Sequence, residues 1–554
     1  MKIILAQQNY HIGNFELNTQ KILDAITAAE AQGADLVVFT ELCVCGYPPR
    51  DFLEFDDFIQ QSYAAIDKIK AHTSNIAVLV GAPCRNTQPE GKDLFNAAWF
   101  LHEGEVKQII HKTLLPTYDV FDEYRYFEPA YAWNVVPFKG KKLAVTICED
   151  IWNLGDNPLY RICPMDQLME QQPDVMINLS ASPFDYNHAQ NRQKIIRENV
   201  KKYGIPMYYC NAVGSQTEIV FDGGSVIFDA QGNIAKELSY FEEALEGYDL
   251  EVLLQSKAPA PAVTYNNVDA LQPEYNIDRI YQAIVMGIKD YFQKMGFTKA
   301  ILGSSGGIDS AVTLALAVEA LGKENVRAIL MPSPYSTEHS VDDAVALSEN
   351  LDNPYDIIRI NDIYESFLQT LQPHFEGRPF NVAEENTQSR IRGNLLMGLS
   401  NKFGYILLNT SNKSELSTGY GTLYGDMAGG LAVLGDVYKM QVYALARYIN
   451  RDKEIIPANI IDKAPSAELR PNQKDSDSLP DYTVLDSILY QYIERRQGPK
   501  EIIAQGFDPA LVARTLKLVN TNEYKRNQFC PIIRVSSKAF GVGRRVPIVG
   551  KYLS

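Results

Sequence analysis

Residues 302–311 read LGSSGGIDSA, and their reading decides the fold of the second half of the chain. An apolar run, KAILG (299–303), stops at Ser304-Ser305-Gly306-Gly307, and an apolar stretch with helical character follows over 309–321. Strand, small-residue turn, helix is the order that aims backbone N–H groups and the positive end of a helix at one bound anion. A phosphate loop ending in Gly-Lys-Ser/Thr grips terminal phosphates with its lysine. Here Ile308 and Asp309 take that place. A carboxylate suits a pyrophosphate that carries Mg2+, because it can ligate the metal. The plainer alternative is a glycine-rich strand–helix turn with no ligand.

Working outward, VRAILMP (326–332), YDIIRI (355–360) and YILLNT (405–410) read as further strands, with helices at 309–321, 337–351 and 386–403. Buried runs separated by helices predict a parallel sheet covered on both faces. Upstream, the proline-bearing QSKAPAPAVTYNNVDALQPEYN (255–276) has linker composition. A helical period restarts after it with Ile280, Ile284, Ile288 and Phe292. The expected organisation is a domain over 1–260, a linker over 261–276 and a second domain over 277–554. Before the linker, apolar runs at 34–40, 75–83, 106–111, 142–147, 174–180 and 206–214 alternate with helical segments at 16–32, 57–72 and 187–203, again suggesting α/β layers with parallel strands.

A chain of 554 residues exceeds one core. Its net charge of −16 argues against gripping nucleic acid by bulk electrostatics. MKIILAQQNYHIG turns polar too early for a secretory signal, and the apolar stretch near 311–321 is too short to span a bilayer. Seven scattered cysteines without CxxC or HExxH predict a reduced, cytoplasmic chain without structural zinc, Cys43 and Cys45 being packed side chains.

Three apolar runs of the first half end on reactive side chains: Glu41 after ADLVVFT, Lys112 after VKQIIH and Cys148 after KLAVTI. Sites in α/β sheets gather beyond the carboxyl ends of strands. A cysteine needs its thiol proton removed, a glutamate can take that proton and later activate water, and a lysine can stabilise the oxyanion of acyl transfer. Spacing alone leaves open the alternative of two solvated charges and a packed thiol.

TEL at Glu41 followed by GYPPRD, HKTLLPTYDVFDEYRYFEP around Lys112 and TICEDIW around Cys148 closely resemble the nitrilase, or carbon–nitrogen hydrolase, superfamily, in particular its glutamine-hydrolysing branch. That resemblance implies Cys148 as nucleophile on the glutamine amide, Glu41 as general base and Lys112 as oxyanion stabiliser. Tyr118, Glu149, Ser182 and His188 would bind glutamine, although His188 also reads as an ordinary polar surface residue. SSGGIDS resembles the ATP pyrophosphatase, or PP-loop, family, whose members adenylate a carbonyl oxygen and release pyrophosphate. ENTQSRIRGNLLMGLSNKFGYILLNTSNKSELSTGYGTLYGD, with most of 280–554, resembles the NAD synthetase family.

By resemblance, Gly303, Ser304, Ser305, Gly306, Gly307, Ile308, Asp309, Ser310, Thr410 and Lys439 would bind ATP. Arg390, Arg392, Asp426 and Lys538 would bind a dinucleotide, and Asp309 and Glu415 would hold Mg2+. KAPSAELRPNQKDSDSLPDY (463–482) is similar to a substrate-covering loop; the acid-free tail from Lys525 to Ser554 reads either as a solvated basic face or, by its resemblance to the synthetase tail, as a phosphate-binding rim. The fold implied is a nitrilase-like α/β sandwich followed by a parallel-sheet PP-loop domain. The activity implied is amidation of deamido-NAD (nicotinic acid adenine dinucleotide) with ATP and glutamine, by a homo-oligomer of at least two chains, with neither nucleic acid nor membrane as partner. A PP-loop enzyme acting on tRNA, an amidotransferase for another carboxylate and a nucleotide sensor without turnover are the competing readings.

Overall fold

The computed structural model describes residues 1–154, 158–265, 268–471, 473, 475–477 and 479–553. The chain divides into two compact units, Met1–Asn266 and Asn267–Ser554. Residues 266 and 267 of the expected linker, and 472, 474 and 478 of the expected covering loop, lie outside the described residues.

The first unit stacks two six-stranded sheets between helices. Alternate strand residues face opposite ways, and burial follows that rule. Ile3, Leu5, Val38 and Leu79 of one sheet meet Leu143, Val145, Ile177 and Cys210 of the other. Ile4, Val37 and Val78 turn outward onto Ile22, Ile26, Ile59 and Ile66 of the helices Phe15–Ala31 and Asp56–Lys70. On the far side Met176, Met207 and Tyr209 pack on Ile196 and Val200 of the helix His188–Tyr203.

Both sheets are mixed, which corrects the expectation of parallel strands in this half. The strands Lys2–Gln7, Leu36–Val38 and Ala77–Arg85 run parallel, but Ala77–Arg85, Leu94–His102 and Glu105–His111 form an antiparallel meander. For the last pair the cause is local: Glu103 and Gly104, with φ +53° and +72°, close a two-residue hairpin that only antiparallel strands can use. The run at 206–214 is likewise two strands, Met207–Asn211 and Val213–Gln216, in different sheets.

The second unit holds a five-stranded sheet, parallel throughout, in the order Tyr355–Ile357, Val326–Leu330, Ala300–Gly303, Ile406–Asn409, Leu431–Ala432. Chain order reverses direction beside the central strand Ala300–Gly303, the switch point where such sheets leave a crevice at their carboxyl ends. Ser304–Gly307 follow that strand directly, and the helix Ile308–Leu321 follows them. Among the described residues, no helix is long and apolar enough to cross a membrane.

Candidate active sites

In the first unit Glu41, Lys112 and Cys148 lie just past the strands Leu36–Val38, Glu105–His111 and Lys141–Ile147. The Glu41 turn lies against Gly81, where a Cβ would stand 2.4 Å from both Thr40 O and Leu42 N, so glycine is what allows this approach. Lys112 Nζ sits 2.6 Å from Glu41 Oε1 and 2.8 Å from each oxygen of Glu123. Asn96 Nδ2 donates to Glu41 at 2.7 Å and to Glu123 at 3.3 Å, the Tyr47 hydroxyl donates to Glu123 at 2.7 Å, and the Ala181 N–H donates to Glu41 at 3.1 Å.

Two carboxylates and one ammonium are thus buried together, with their remaining valences met by neutral donors. Burial works against the Lys112 ammonium, but Glu123 and Glu41 outweigh it and hold the pKa well above the usual lysine range. Burial pushes the Cys148 thiol well up, Glu41 adds to this and Lys112 opposes it. The resting nucleophile is therefore the thiol, and acylation needs a base at its side.

Cys148 has φ +43°, a left-handed backbone uncommon for a residue with a side chain. It opens the 3-10 turn Cys148–Ile151, which projects it from the strand end. Asp150 accepts from Ile147 N–H at 3.0 Å, Thr113 N–H at 3.0 Å and Leu114 N–H at 2.8 Å. Burial raises its carboxyl to about 7 against the pull of those donors. Tyr118 Oη donates to Glu149 at 2.9 and 3.0 Å, and Tyr160 Oη does so at 3.2 Å. Ser182 Oγ lies 2.7 Å from His188 Nε2, whose ring stacks on Trp152 with centroids 5.2 Å apart. His188 is therefore a packed, half-buried group. Glu123, Asn96, Tyr47 and Tyr160 escaped the sequence reading, and Glu123 lay within the stretch quoted around Lys112.

The second unit contains a cavity of about 950 Å³ at the carboxyl end of its sheet. Gly303, Ser304, Ser305, Gly307, Ile308, Asp309, Ser310, Thr410 and Lys439 line it. Gly306 stands behind them with φ +76°, where a Cβ would meet Ser340 O at 2.1 Å. Asp309 Oδ2 is 2.5 Å from Lys439 Nζ and its Oδ1 accepts from Asn412 Nδ2 at 2.9 Å, while Glu415 Oε1 is 3.8 Å from the same ammonium. Burial raises the Glu415 carboxyl well above its usual range, Asp309 adding to it and Lys439 opposing.

Arg392 and Asp426 also border the cavity, as do residues 463–470, Gln473 and Asp475 of the expected covering loop. Arg390 and Lys538 do not. Arg390 is exposed and donates to Leu423 O at 3.2 Å, and the Lys538 carbonyl accepts from Lys413 at 3.0 Å. Several of the tail's cations bind the chain itself. Arg526 and Arg544 bind Glu523, Arg534 donates to Ser536 O, and of the seven tail cations Lys525 alone borders the cavity, donating to Gly419 O at 2.7 Å and Gly421 O at 3.0 Å.

A buried Glu–Lys–Cys centre in one unit and a lysine-free phosphate loop in the other define a two-headed enzyme class, a carbon–nitrogen hydrolase joined to a nucleotide-using synthase. The carbon–nitrogen hydrolase family model matches residues 2–252 and the NAD synthase model residues 280–529. A glutamine-dependent NAD(+) synthetase of Synechocystis is 46% identical, over 99% of this chain and 98% of its own. One from Thermotoga maritima is 41% identical, over 100% and 99%. The solved glutamine-dependent NAD+ synthetase of Acinetobacter baumannii, in complex with ADP, superposes with a TM-score of 0.75 at 40% identity, over 99% of this chain and 98% of that one. The chain belongs to the glutamine-dependent NAD(+) synthetase family, whose members are carbon–nitrogen ligases.

Proposed function

We propose that the two centres run one reaction in sequence, glutamine hydrolysis at Cys148 feeding ammonia to an ATP-dependent amidation of deamido-NAD. The observation that carries the first step is the convergence of Glu41, Lys112 and Cys148 from separate strands. Glu41 takes the Sγ proton, sulfur attacks the side-chain carbonyl of glutamine, and Lys112 steadies the oxyanion. As the C–N bond breaks, the proton returns to the leaving nitrogen and ammonia departs. Glu41 then takes a proton from water, the thioester is hydrolysed and glutamate leaves. Tyr118, Glu149, Ser182 and His188 form the polar wall for the amino-acid end of glutamine.

In the second unit Ser304, Ser305, Gly307 and Ser310 border the place for the ATP phosphates, with Lys439 as the fixed cation and Thr410 on the wall. Arg392, Asp426 and Lys525 border the space left for the dinucleotide. Its nicotinate carboxylate attacks the α-phosphorus, pyrophosphate leaves, and ammonia displaces AMP to give NAD. Asp309 and Glu415 fit Mg2+: both are hard oxygen donors on the cavity wall, and burial together with the charge of Asp309 raises the Glu415 carboxyl. Among the described residues no three His, Cys, Asp or Glu side chains cluster to hold a metal, which suits a cation that takes its remaining ligands from phosphate and water. When bound, the cation neutralises charge on the departing pyrophosphate.

The enzyme acts as a homo-oligomer of at least two chains, which sedimentation would test. Its compartment is the cytoplasm, in keeping with seven unpaired cysteines. The deciding experiment is NAD formation by Cys148→Ala. Glutamine-driven synthesis is expected to vanish while ammonium-driven synthesis stays. Persistence of both would remove the assignment of Cys148.

A further inference from the structure

We propose that Asp150 is a positioning residue of the glutamine-hydrolysing centre, tying the turn that presents Cys148 to the chain that presents Lys112. The inference deepens the function proposed above and rests on its reading of Cys148. Cys148 and Lys112 come from different sheets: Lys141–Ile147 belongs to one and Glu105–His111 to the other. Ladder hydrogen bonds fix each strand only within its own sheet. Lys112 N–H, for instance, donates to Asn96 O at 2.8 Å on the adjacent strand of its own sheet. Contact between the sheets is largely apolar packing, which is non-directional, and a directed bond such as that from Ala181 N–H to Glu41 at 3.1 Å holds the base rather than the nucleophile against the cation.

The Asp150 carboxylate supplies direction. Its Oδ2 accepts from Ile147 N–H, the residue before Cys148, and its Oδ1 accepts from Thr113 and Leu114, the two residues after Lys112. One carboxylate therefore fastens the chain immediately before the nucleophile and immediately after the lysine. A residue that only capped the turn Cys148–Ile151 would need the Ile147 bond alone. The left-handed backbone of Cys148 is a second sign, because strained conformations persist where neighbouring bonds over-determine them. Asp150 is 2% exposed and both its oxygens are taken up by backbone N–H donors, so its part is played through the two groups it fastens.

Asp150→Asn keeps the shape but turns an NH2 toward at least one N–H donor, breaking the three-point tie. Reacting groups displaced by about 1 Å lose about 100-fold in rate. The test uses the full chain with radiolabelled glutamine and rapid quenching. It reads the amplitude and rate of thioester formation on Cys148, the KM for glutamine, and ammonium-driven NAD formation. The expectation for Asp150→Asn is full amplitude, acylation about 100-fold slower and a glutamine KM within about threefold of the parent. Ammonium-driven synthesis should be unchanged. A merely structural role lowers the amplitude and leaves the rate per titrated site at the parental value, and that result would overturn the proposal. Should Asp150→Asn fail to fold, Asp150→Glu, which keeps the acceptor but shifts it by one methylene, is read in the same way. A parent enzyme that forms no thioester would remove the Cys148 reading beneath it. A parental thioester matched in rate by the variant removes this inference alone.

Discussion

Replacing Gly306 by alanine puts the phosphate-loop reading under direct strain. The residue sits at φ +76°, and an added Cβ would stand 2.1 Å from Ser340 O, 2.8 Å from its carbonyl carbon and 2.9 Å from its Cα. These are backbone atoms at the start of the helix Glu338–Leu351, so no side chain can swing aside. Restoring ordinary contact distances requires the loop and that helix to part by about 1 Å. The left-handed backbone adds about 1–2 kcal/mol for a residue with a Cβ.

To the extent that the loop gives way, Ser304–Gly307 move relative to Asp309 and Lys439, the groups that face the phosphates in the proposed site. A displacement of that size costs about 100-fold in turnover. Ammonium-driven formation of AMP and NAD by Gly306→Ala should fall by that order, while glutamine hydrolysis at Cys148 stays within about twofold. The unfolding transition of the second unit should drop by about 5 °C. Gly307→Ala is the control. Its backbone is extended, at φ −93° and ψ 159°, which any residue adopts, and its nearest obstacle is Ser305 Oγ at 3.2 Å, a side chain that can rotate, so its unfolding transition should not move. Gly306→Ala with parental turnover of ATP would refute the argument.

Two further outcomes concern the first unit. Because the charge of Glu41 helps raise the Cys148 thiol, Glu41→Gln should shift the pH midpoint of Cys148 alkylation downward. It should at the same time lower glutamine hydrolysis by about 100-fold or more through loss of the base. A midpoint that stays or rises would contradict the electrostatic assignment. Arg192 and Asp222 form a buried two-point pair, both contacts at 2.9 Å, between the helix that begins at His188 and the strand Ile219–Asp222. Asp222→Asn leaves a buried guanidinium short of its partner, at about 3–5 kcal/mol. The melting temperature of this unit should fall by about 10 °C, and an unchanged melting curve would count against the pair as a stabilising contact.

The parts of both centres that were legible in the sequence are those whose meaning is local. Strand, SSGGIDS and helix are consecutive, so composition and order suffice. Glu41, Lys112 and Cys148 each end an apolar run, and a run can be counted. Glu123 could not be found this way. Asp119, Asp122 and Glu128 surround it, and nothing in residue type or spacing separates it from them. What distinguishes it is burial against Lys112, a tertiary fact. The tail's pairings likewise reach beyond it. Its acid-free window invites a phosphate rim, yet Glu523, which neutralises Arg526 and Arg544, lies just ahead of that window. One antiparallel pair of the first sheet hangs on a two-residue hairpin at Glu103 and Gly104, whose weight appears only once the strands either side are known to pair.

The lysine missing from residues 302–311 returns from elsewhere in the chain. Lys439 opens the helix Lys439–Ile449 and sets its ammonium 2.5 Å from Asp309, the residue that stands where a phosphate loop of the usual kind keeps its own cation. A lysine carried by the loop would be committed to the phosphates. Placed on a separate helix and balanced between Asp309 and Glu415, the cation shares its site with two carboxylates that also suit a metal. That division fits adenylation better than γ-phosphate transfer, because the group to be neutralised is a whole pyrophosphate. Loop N–H groups and the Lys439 ammonium would meet it, and Asp309 and Glu415 would hold a dication that adds its charge. In the proposed site the acid in the loop would then set the chemistry: Asp309 holds Lys439 in place, and the glycines leave room for phosphates beside it.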